Sequence, residues 1–448
     1  MKEKFTNIKE ESKYYREMEK EFVLHSWCVQ NQYNGSVVTG GEGAYFWDME
    51  GNRYLDFSSQ AMCNTLGHQH PKVVEAIRKQ AEQLCFVQGT WATIPRALLA
   101  KKLTEIAPSN LKKTFFTTGG AEANENAIKF ARMFTGRQKI ITRYRSYHGA
   151  SAGAMSISGD PRRWAVEPGI PGIVRALDCY CYRCPFGLSY PACNVRCVEH
   201  IKELIELEGP DKVCAVEIEP IVGSNGLLVP PDEYLPRLRE ICSQFGTLLI
   251  SDEVMTGFGR TGAWFACQHW DVQPDIMILA KGLSAAMLPL GGVMISKEIS
   301  DYFDDKLLFA GLTYLGHPMS CAAGVAALDV YHEENLIEKS KSLGEYMLGC
   351  LKDMEKRHPS IGDVRGKGLF ASIELVKNRK TKEPMAPFNG GSPVMTKIGS
   401  EAKKRGVIFN IRWNFFIFAP PLVISKKEID HAMNVLDELL VLADQEVN

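Results

Sequence analysis

The stretch Pro274–Gly292 reads PDIMILAKGLSAAMLPLGG, an apolar run that ends in a lysine followed at once by glycine. The run from Ile276 to Ala280 has the length and composition of a buried strand. Burying an ammonium group is costly unless its charge is paired or neutralised. Lys281 therefore either reaches solvent along its aliphatic stem or is present for the reactivity of its amine.

Short β-rich runs alternate with longer segments of helical spacing on both sides of this stretch. The runs are KTFFTT, KIITRY, VCAVEI, TLLISDE, IMILAK and LGGVMIS. Such alternation is typical of an α/β fold, in which helices cover both faces of a parallel sheet. We expect residues 65–330 to form this large domain and residues 331–448 to form a smaller α+β domain. The N-terminal segment 1–64 is expected to supply a helix and a hairpin that pack with the small domain.

The composition restricts the partners of the chain. Its 448 residues are 45% hydrophobic and carry a net charge of −1, which argues against nucleic acid or an anionic membrane as a partner. The charged N-terminus is unlike a secretory signal, and no window approaches the roughly 18 to 20 apolar residues that cross a bilayer. Thirteen cysteines suit a reducing compartment. The sequence thus predicts a cytoplasmic protein with small-molecule or protein partners.

Gly120 and Ala121 lie in TTGGAEANENAIKFAR, where a predicted strand gives way to a helix. Free backbone N–H groups at a helix start, with glycine permitting close approach, form a site suited to phosphate. The structural alternative is an ordinary glycine-rich turn. The segment lacks the G-x-G-x-x-G and G-K-[ST] patterns, which weakens nicotinamide and nucleoside-triphosphate interpretations.

Asp252 ends the apolar run TLLISDE, at the sheet edge where open α/β sheets bind ligands. Its carboxylate could pair with a cationic nitrogen or simply cap the following turn. A phosphate site, a strand-end aspartate and a strand-end lysine are together what pyridoxal 5′-phosphate requires. Lys281 then supplies the amine that joins the cofactor aldehyde.

Ordered blocks along nearly the whole chain carry a family resemblance. They include GEGAYFWDMEGNRYLDF, LGHQHP, YRSYHG, VEIEPIVGSNGLLVPP, SDEVMTGFGRTG, LTYLGHP, GDVRGKGLF and FAPPLVI. In these blocks the sequence resembles class III (ω-amino acid) aminotransferases of fold type I. The resemblance implies a large domain with a mostly parallel, seven-stranded sheet, a smaller α+β domain, and a homodimer with shared active sites.

The resemblance also implies cofactor contacts, made by Gly120, Ala121, Tyr147, His148, Glu219, Asp252, Val254, Lys281 and Thr313. Asp252 would bind the ring nitrogen, and Glu219 would order the network around it. Tyr147 with His148 and, on the other side, Val254 would cover the ring faces. Thr313 would reach the phosphate bound in the neighbouring subunit. Lys281 and Asp252 would be catalytic, with Lys281 as general base and acid in a ping-pong amine transfer, although each of these residues could instead have a purely structural role.

The donor is less clearly indicated. The ornithine and GABA branches carry a glutamate and an arginine at the positions of Ser224 and Ile417, so neither specificity transfers directly. The segments HSWCVQNQYN, Ser58–Gln60 and VGSNG look most like taurine and related ω-amino acid transaminases. We therefore expect taurine, or β-alanine, as donor and 2-oxoglutarate or pyruvate as acceptor. Candidate substrate contacts are Arg412, Trp27, Cys63 and Trp91, whose structural alternatives are a surface ion pair and core packing.

Three alternatives stay open. One is a transaminase for GABA or another ω-amine, and a second is a decarboxylase or aminomutase on the same fold. The third is a non-enzymatic metal-binding scaffold that uses the loop Cys179–Cys197, whose C-x2-C and C-x3-C spacings could bind zinc or an iron–sulfur cluster. A reduced loop without a metal is the preferred interpretation.

Overall fold

The computed structural model describes residues 7–448, so residues 1–6 of the expected N-terminal segment lie outside the described part. The helices are α1 (Ile8–Phe22), α2 (Ser59–Met62), α3 (Pro71–Gln83), α4 (Ile94–Ile106), α5 (Gly120–Thr135), α6 (Ala152–Ile157), α7 (Arg196–Glu208), α8 (Tyr234–Phe245), α9 (Lys297–Tyr302), α10 (Pro318–Glu333), α11 (Leu336–Arg357), α12 (Pro393–Lys404) and α13 (Lys426–Asp444). The strands are β1 (Val38–Glu42), β2 (Tyr45–Asp48), β3 (Arg53–Asp56), β4 (Leu111–Thr117), β5 (Lys139–Arg143), β6 (Ile173–Ala176), β7 (Val213–Ile218), β8 (Leu248–Asp252), β9 (Ile276–Leu279), β10 (Gly291–Ser296), β11 (Ile361–Gly366), β12 (Ala371–Asn378), β13 (Glu383–Pro384), β14 (Val407–Ile408), β15 (Asn410–Arg412) and β16 (Phe415–Phe418).

The central sheet has seven strands in the order β4-β10-β9-β8-β7-β5-β6. Only β10 runs against its neighbours β4 and β9; the other pairs between β9 and β6 are parallel. Every residue of β7, β8 and β9 is buried, as expected where helices cover both faces of a sheet. The predicted α/β class with a mostly parallel, seven-stranded sheet is confirmed.

Two smaller sheets flank this one, with the orders β1-β2-β3-β14 and β11-β12-β16-β15. In the first, Leu55 of β3 pairs in parallel with Val407 of β14, so the N-terminal segment is completed by a strand from the C-terminal region. One hydrophobic cluster joins residues from all three parts of the chain, such as Phe57, Met277 and Phe418. None of the helices in residues 7–448 is long and apolar enough to cross a membrane.

The short element α2 is not a right-handed helix. Ser59, Gln60, Ala61 and Met62 have φ values of 47°, 47°, 63° and 62°, which is the left-handed region. Each non-glycine residue in that region costs roughly 1 to 2 kcal/mol. The turn is fixed by tertiary contacts, since the Ser59 hydroxyl donates to the carbonyl of Ala419 at 2.6 Å. It presents the next residue, Cys63, to the cavity described below.

Candidate active site

The carboxyl ends of β4, β8 and β9 meet at one edge of the central sheet, where they open into a cavity of about 350 Å³. The cavity brings together most of the residues that the sequence singled out. Among its lining residues are Cys63, Gly120, Ala121, Tyr147, His148, Glu219, Asp252, Val254 and Lys281.

The start of α5 forms one wall of the cavity. Glu122 folds back and accepts hydrogen bonds from the Thr118 N–H and hydroxyl at 2.9 and 2.7 Å. The N–H groups of Gly120 and Ala121 belong to the first turn, where a helix has no internal acceptors for its donors. A Cβ atom on Gly120 would come within 3.2 Å of the Val254 side chain, so glycine allows these two segments to lie close together. This cradle suits a phosphate group.

Asp252 lies at the base of the cavity with only 3% of its surface exposed. Its Oδ2 atom accepts from His148 Nδ1 at 2.7 Å and from Asn124 Nδ2 at 3.3 Å, while its Oδ1 atom accepts from the Val254 N–H at 3.0 Å. Three donors therefore fix the orientation of the carboxylate. A buried, oriented carboxylate is suited to pairing with a protonated nitrogen.

His148 is fully buried beneath Asp252. Burial alone lowers the pKa of this imidazole, but the Glu217 carboxyl group and the hydrogen bond to Asp252 outweigh it and raise the pKa to about 9. The imidazole is therefore protonated at neutral pH and donates from Nδ1 to Asp252. Its Nε2 atom has no hydrogen-bond partner among the described residues.

Glu219 connects two walls of the cavity. Its Oε1 atom accepts from the Tyr147 N–H at 3.0 Å, and its Oε2 atom accepts from the Gly223 N–H at 2.8 Å. These bonds hold Tyr147 against the cavity and fix the loop that follows β7. Burial raises the pKa of the Glu219 carboxyl group.

Lys281 is the second residue after the end of β9 and is half-buried at the cavity. Its backbone is in the left-handed region, with φ of 46°. The left-handed region is energetically unfavourable for a lysine, so the surrounding structure imposes this conformation. Lys281 thus lines the same cavity as the α5 cradle and Asp252.

Of the four candidate substrate residues, only Cys63 is among the residues that line the cavity. Trp27 is 61% exposed. Arg412 extends from β15, and its Nη2 atom donates to Asp160 Oδ2 at 2.6 Å. Trp91 lines a separate cavity of about 640 Å³ between α3, α4 and α10, so within one chain it does not reach the candidate site. Thr313 is exposed and does not line the first cavity of its own chain.

Arg162 was missed by sequence reasoning. Its guanidinium carbon lies 3.5 Å from the centre of the Tyr147 ring and 4.9 Å from that of Trp27. Asp160 Oδ1 accepts from the Arg162 backbone N–H at 2.9 Å and from its Nε at 2.8 Å. Burial raises the pKa of Asp160, but Arg162 and Arg412 outweigh it and lower the pKa. The only sequence signal was an arginine pair, Arg162 and Arg163, shortly after the YHG block.

Two guanidinium groups thus share a single carboxylate beside Tyr147. This arrangement leaves a net positive charge that a substrate anion can neutralise. A guanidinium fork matches the geometry of carboxylate and sulfonate oxygens alike.

The cysteine loop lies apart from this site. Cys179, Cys181, Cys184, Cys193 and Cys197 are free thiols that line one enclosed cavity of about 20 Å³. Within the described part of the chain, only His148, Glu217 and Asp252 bring three atoms of metal-ligand type within 4.8 Å of one another. The loop thiols are therefore more widely spaced than the ligands of a tetrahedral zinc site.

Comparison with known proteins shows the family of this chain. Residues 29–440 match the family described as aminotransferase class-III. The structure of taurine:2-oxoglutarate aminotransferase from Bifidobacterium kashiwanohense, in complex with PLP and glutamate, is 39% identical over the full length of both chains, with a TM-score of 0.94. A leucine/methionine racemase from Thermococcus litoralis is 37% identical and covers 91% of this chain and 91% of its own length. A taurine–pyruvate aminotransferase from Bilophila wadsworthia is 33% identical over 96% of this chain and 97% of its own. The predicted resemblance is confirmed, and the chain belongs to the class III aminotransferases, which use pyridoxal 5′-phosphate.

Proposed function

We propose that this aminotransferase moves the amino group of a short ω-amino acid with a distal acid group to a 2-oxo acid. Taurine is the favoured donor and β-alanine the second choice, with 2-oxoglutarate or pyruvate as acceptor. The observation that carries the proposal is the pair Arg162 and Arg412 around Asp160, beside Tyr147 in the cavity wall. The names of two relatives, both taurine aminotransferases, support the choice of donor.

The residues of the cavity fit the cofactor that the family uses. The α5 cradle, which a Cβ on Gly120 would crowd, suits its phosphate, and the three-donor arrangement at Asp252 suits its ring nitrogen. Tyr147 and Val254 line the cavity and are assigned to the two faces of the ring. When bound, pyridoxal 5′-phosphate supplies an aldehyde that carries the amino group and a ring that accepts electrons.

The chain's own groups perform the proton transfers. Lys281 Nζ would hold the resting cofactor through its aldehyde and, when a donor amine takes that place, would accept the proton from the donor's amine-bearing carbon. The same amine would pass that proton to the aldehyde-derived carbon of the cofactor, and it would make the reverse transfers when the 2-oxo acid is aminated. Asp252, paired with the protonated His148, keeps the ring nitrogen protonated. Arg162 and Arg412 bind and orient the acid group at the far end of the substrate.

A donor-by-acceptor screen with product identification tests this proposal. Taurine or β-alanine should disappear only when 2-oxoglutarate or pyruvate is present, with one amino acid formed per donor consumed. If neither taurine nor β-alanine reacts with either acceptor, the choice of donor proposed here is wrong.

Racemisation is the second candidate, because a leucine/methionine racemase is among the relatives. A racemase inverts its substrate without any 2-oxo acid. Incubation of single enantiomers of leucine and methionine without acceptor, followed by chiral chromatography, separates the two activities. The same incubations with mass detection reveal loss of carbon dioxide or an isomeric product, the signs of the decarboxylase and aminomutase alternatives.

The enzyme is further proposed to act as a homodimer in the cytoplasm. Thr313 is exposed in the single chain. This exposure is required of a residue that contacts the cofactor of a neighbouring subunit. The cavity that contains Trp91 is lined mainly by apolar side chains, which favours burial in an interface. The thirteen free cysteines favour a reducing compartment.

A further inference from the structure

A buried carboxyl group without a hydrogen-bond partner among the described residues lies directly behind the candidate site. Glu217 sits in β7 with none of its surface exposed, and neither of its carboxyl oxygens has a hydrogen-bond partner among the described residues. Buried polar groups in native proteins are nearly always hydrogen-bonded, and an isolated buried charge is especially costly. The amine-transfer mechanism described above gives Glu217 no task.

The sheet register explains where this carboxyl group points. Glu217 lies opposite Ile250, and Ile218 lies opposite Ser251, so Glu219 follows in register with Asp252. Residues that are directly opposite, and those two positions apart on one strand, share a sheet face. Glu217, Glu219 and Asp252 therefore occupy the same face, against which His148 packs. Glu217 Oε1 lies 3.5 Å from His148 Nδ1.

These three acids differ in the number of hydrogen bonds that they accept. Asp252 accepts from His148, Asn124 and Val254, and Glu219 accepts from two backbone N–H groups. Glu217 accepts from none. Since donors stabilise the ionised form of a carboxyl group, Glu217 is the acid whose charge is least supported.

No further charge offsets this imbalance within the described residues. The titratable groups that face Glu217 are His148 and Asp252 from neighbouring segments and Glu219, which directly follows its strand. The side chain that helix α5 directs toward Asp252 is the neutral amide of Asn124. Burial raises the pKa of Glu217, the protonated His148 opposes the rise, and Asp252 and Glu219 add to it, giving a pKa of about 8.

We propose that Glu217 is an uncharged acid at neutral pH and a positioning residue for Asp252. As the neutral member of the trio Glu217, His148 and Asp252, it does not compete with Asp252 for the Nδ1–H of His148, from which its Oε1 atom lies 3.5 Å away. The charge on His148 is then held by its 2.7 Å hydrogen bond to Asp252, which keeps that carboxyl group oriented toward the ring nitrogen. This inference rests on the proposed role of Asp252 in holding the cofactor.

Infrared difference spectroscopy of the holoenzyme tests the protonation state directly. The wild type should show a protonated-carboxyl C=O band at pH 7 that is missing in Glu217→Gln and disappears from the wild type as the pH is raised through about 8. Glu374→Gln is the control, because Glu374 is equally buried but pairs with Arg183 at 2.5 Å and Arg365 at 3.1 Å and so contributes no such band. If Glu217→Gln retains the full wild-type band at pH 7, the proposal is wrong.

A pair of variants separates positioning from packing. Glu217→Gln keeps an uncharged polar side chain of the same shape beside His148 Nδ1, so its cofactor absorption and kcat at pH 7 should stay within about threefold of wild type. Glu217→Leu fills the space without a polar atom beside His148 Nδ1 and should lower kcat by about tenfold or more and alter the pH dependence of cofactor absorption. Identical behaviour of the two variants would contradict positioning. Because the infrared and absorption measurements need no substrate, they can fail or succeed independently of the proposed amine transfer.

Discussion

Lys281 combines two unusual properties in one residue: an amine at the base of a cavity and a backbone in the left-handed region. Lys281→Ala should abolish amine transfer, because it removes both the covalent link and a general base, and the latter alone contributes about 10²- to 10⁴-fold. Borohydride reduction and peptide mapping should find the cofactor on residue 281 of the wild type. Lys297→Ala, which removes an exposed lysine paired with Asp301 at 2.5 Å, should leave both results unchanged.

Arg162 and Arg163 form a matched pair for testing substrate recognition. Arg162→Gln should raise KM for taurine by about tenfold or more, since a charge-assisted hydrogen bond to the acid group is lost. Arg163 instead binds the Gly159 carbonyl at 3.0 Å and Glu167 at 2.9 Å, so Arg163→Gln should leave KM unchanged. Equal changes in the two variants would mean that Arg162 does not bind the acid group.

The junction of β4 and α5 depends on the lack of a side chain at Gly120. Gly120→Ala would place a Cβ 3.2 Å from Val254, which should push the two segments apart and weaken cofactor binding severalfold. A titration of apoenzyme with cofactor, followed by absorbance, measures this. Gly349→Ala in α11 is the control, because no atom lies within 4 Å of its new Cβ; it should leave cofactor binding intact and raise stability by about 0.5 to 1 kcal/mol.

These elements differ in how far the sequence reveals them. The buried strands ending at Asp252 and just before Lys281 were predictable, because apolar runs bounded by loops are a local signal. The left-handed turn at Ser59–Met62 was not, since it is held by a contact with Ala419 near the other end of the chain. The stacking of Arg162 on Tyr147 was hidden too, because neither residue type predicts its spatial neighbour. Glu217 was hidden too, as a glutamate within an apolar strand shows nothing of its hydrogen bonds.

The pH dependence of stability involves the whole molecule. The pKa of His148 rises on folding from 6.5 to about 9, so its stabilising contribution is complete below pH 6.5 and is lost as the pH rises through 9. The pKa of Glu217 rises on folding from 4.5 to about 8, so this residue destabilises the folded state increasingly as the pH rises between those values. Thermal unfolding temperatures should therefore fall between pH 6.5 and 9. Glu217→Gln should show a shallower fall, and an equally steep one would contradict this assignment.

Mixed dimers test whether two subunits share each site. Thr313→Asp should be inactive if the new carboxylate repels the phosphate bound in the neighbouring subunit, and Lys281→Ala should be inactive on its own. In a mixed dimer of the two variants, one site combines both defects and the other has neither. Mixing after partial denaturation should therefore restore activity, whereas a site confined to one chain would stay inactive in every mixture.

The parallel pairing of Leu55 with Val407 also constrains the order of events during synthesis. The ribosome synthesises the first three strands of that sheet, β1 to β3, long before it translates residue 407. Until then, the edge of β3 has no strand to complete it, and exposed strand edges invite pairing with other chains. The nascent enzyme therefore passes through a long interval in which its N-terminal region must be shielded, and chaperone dependence should end only as the last tenth of the chain emerges.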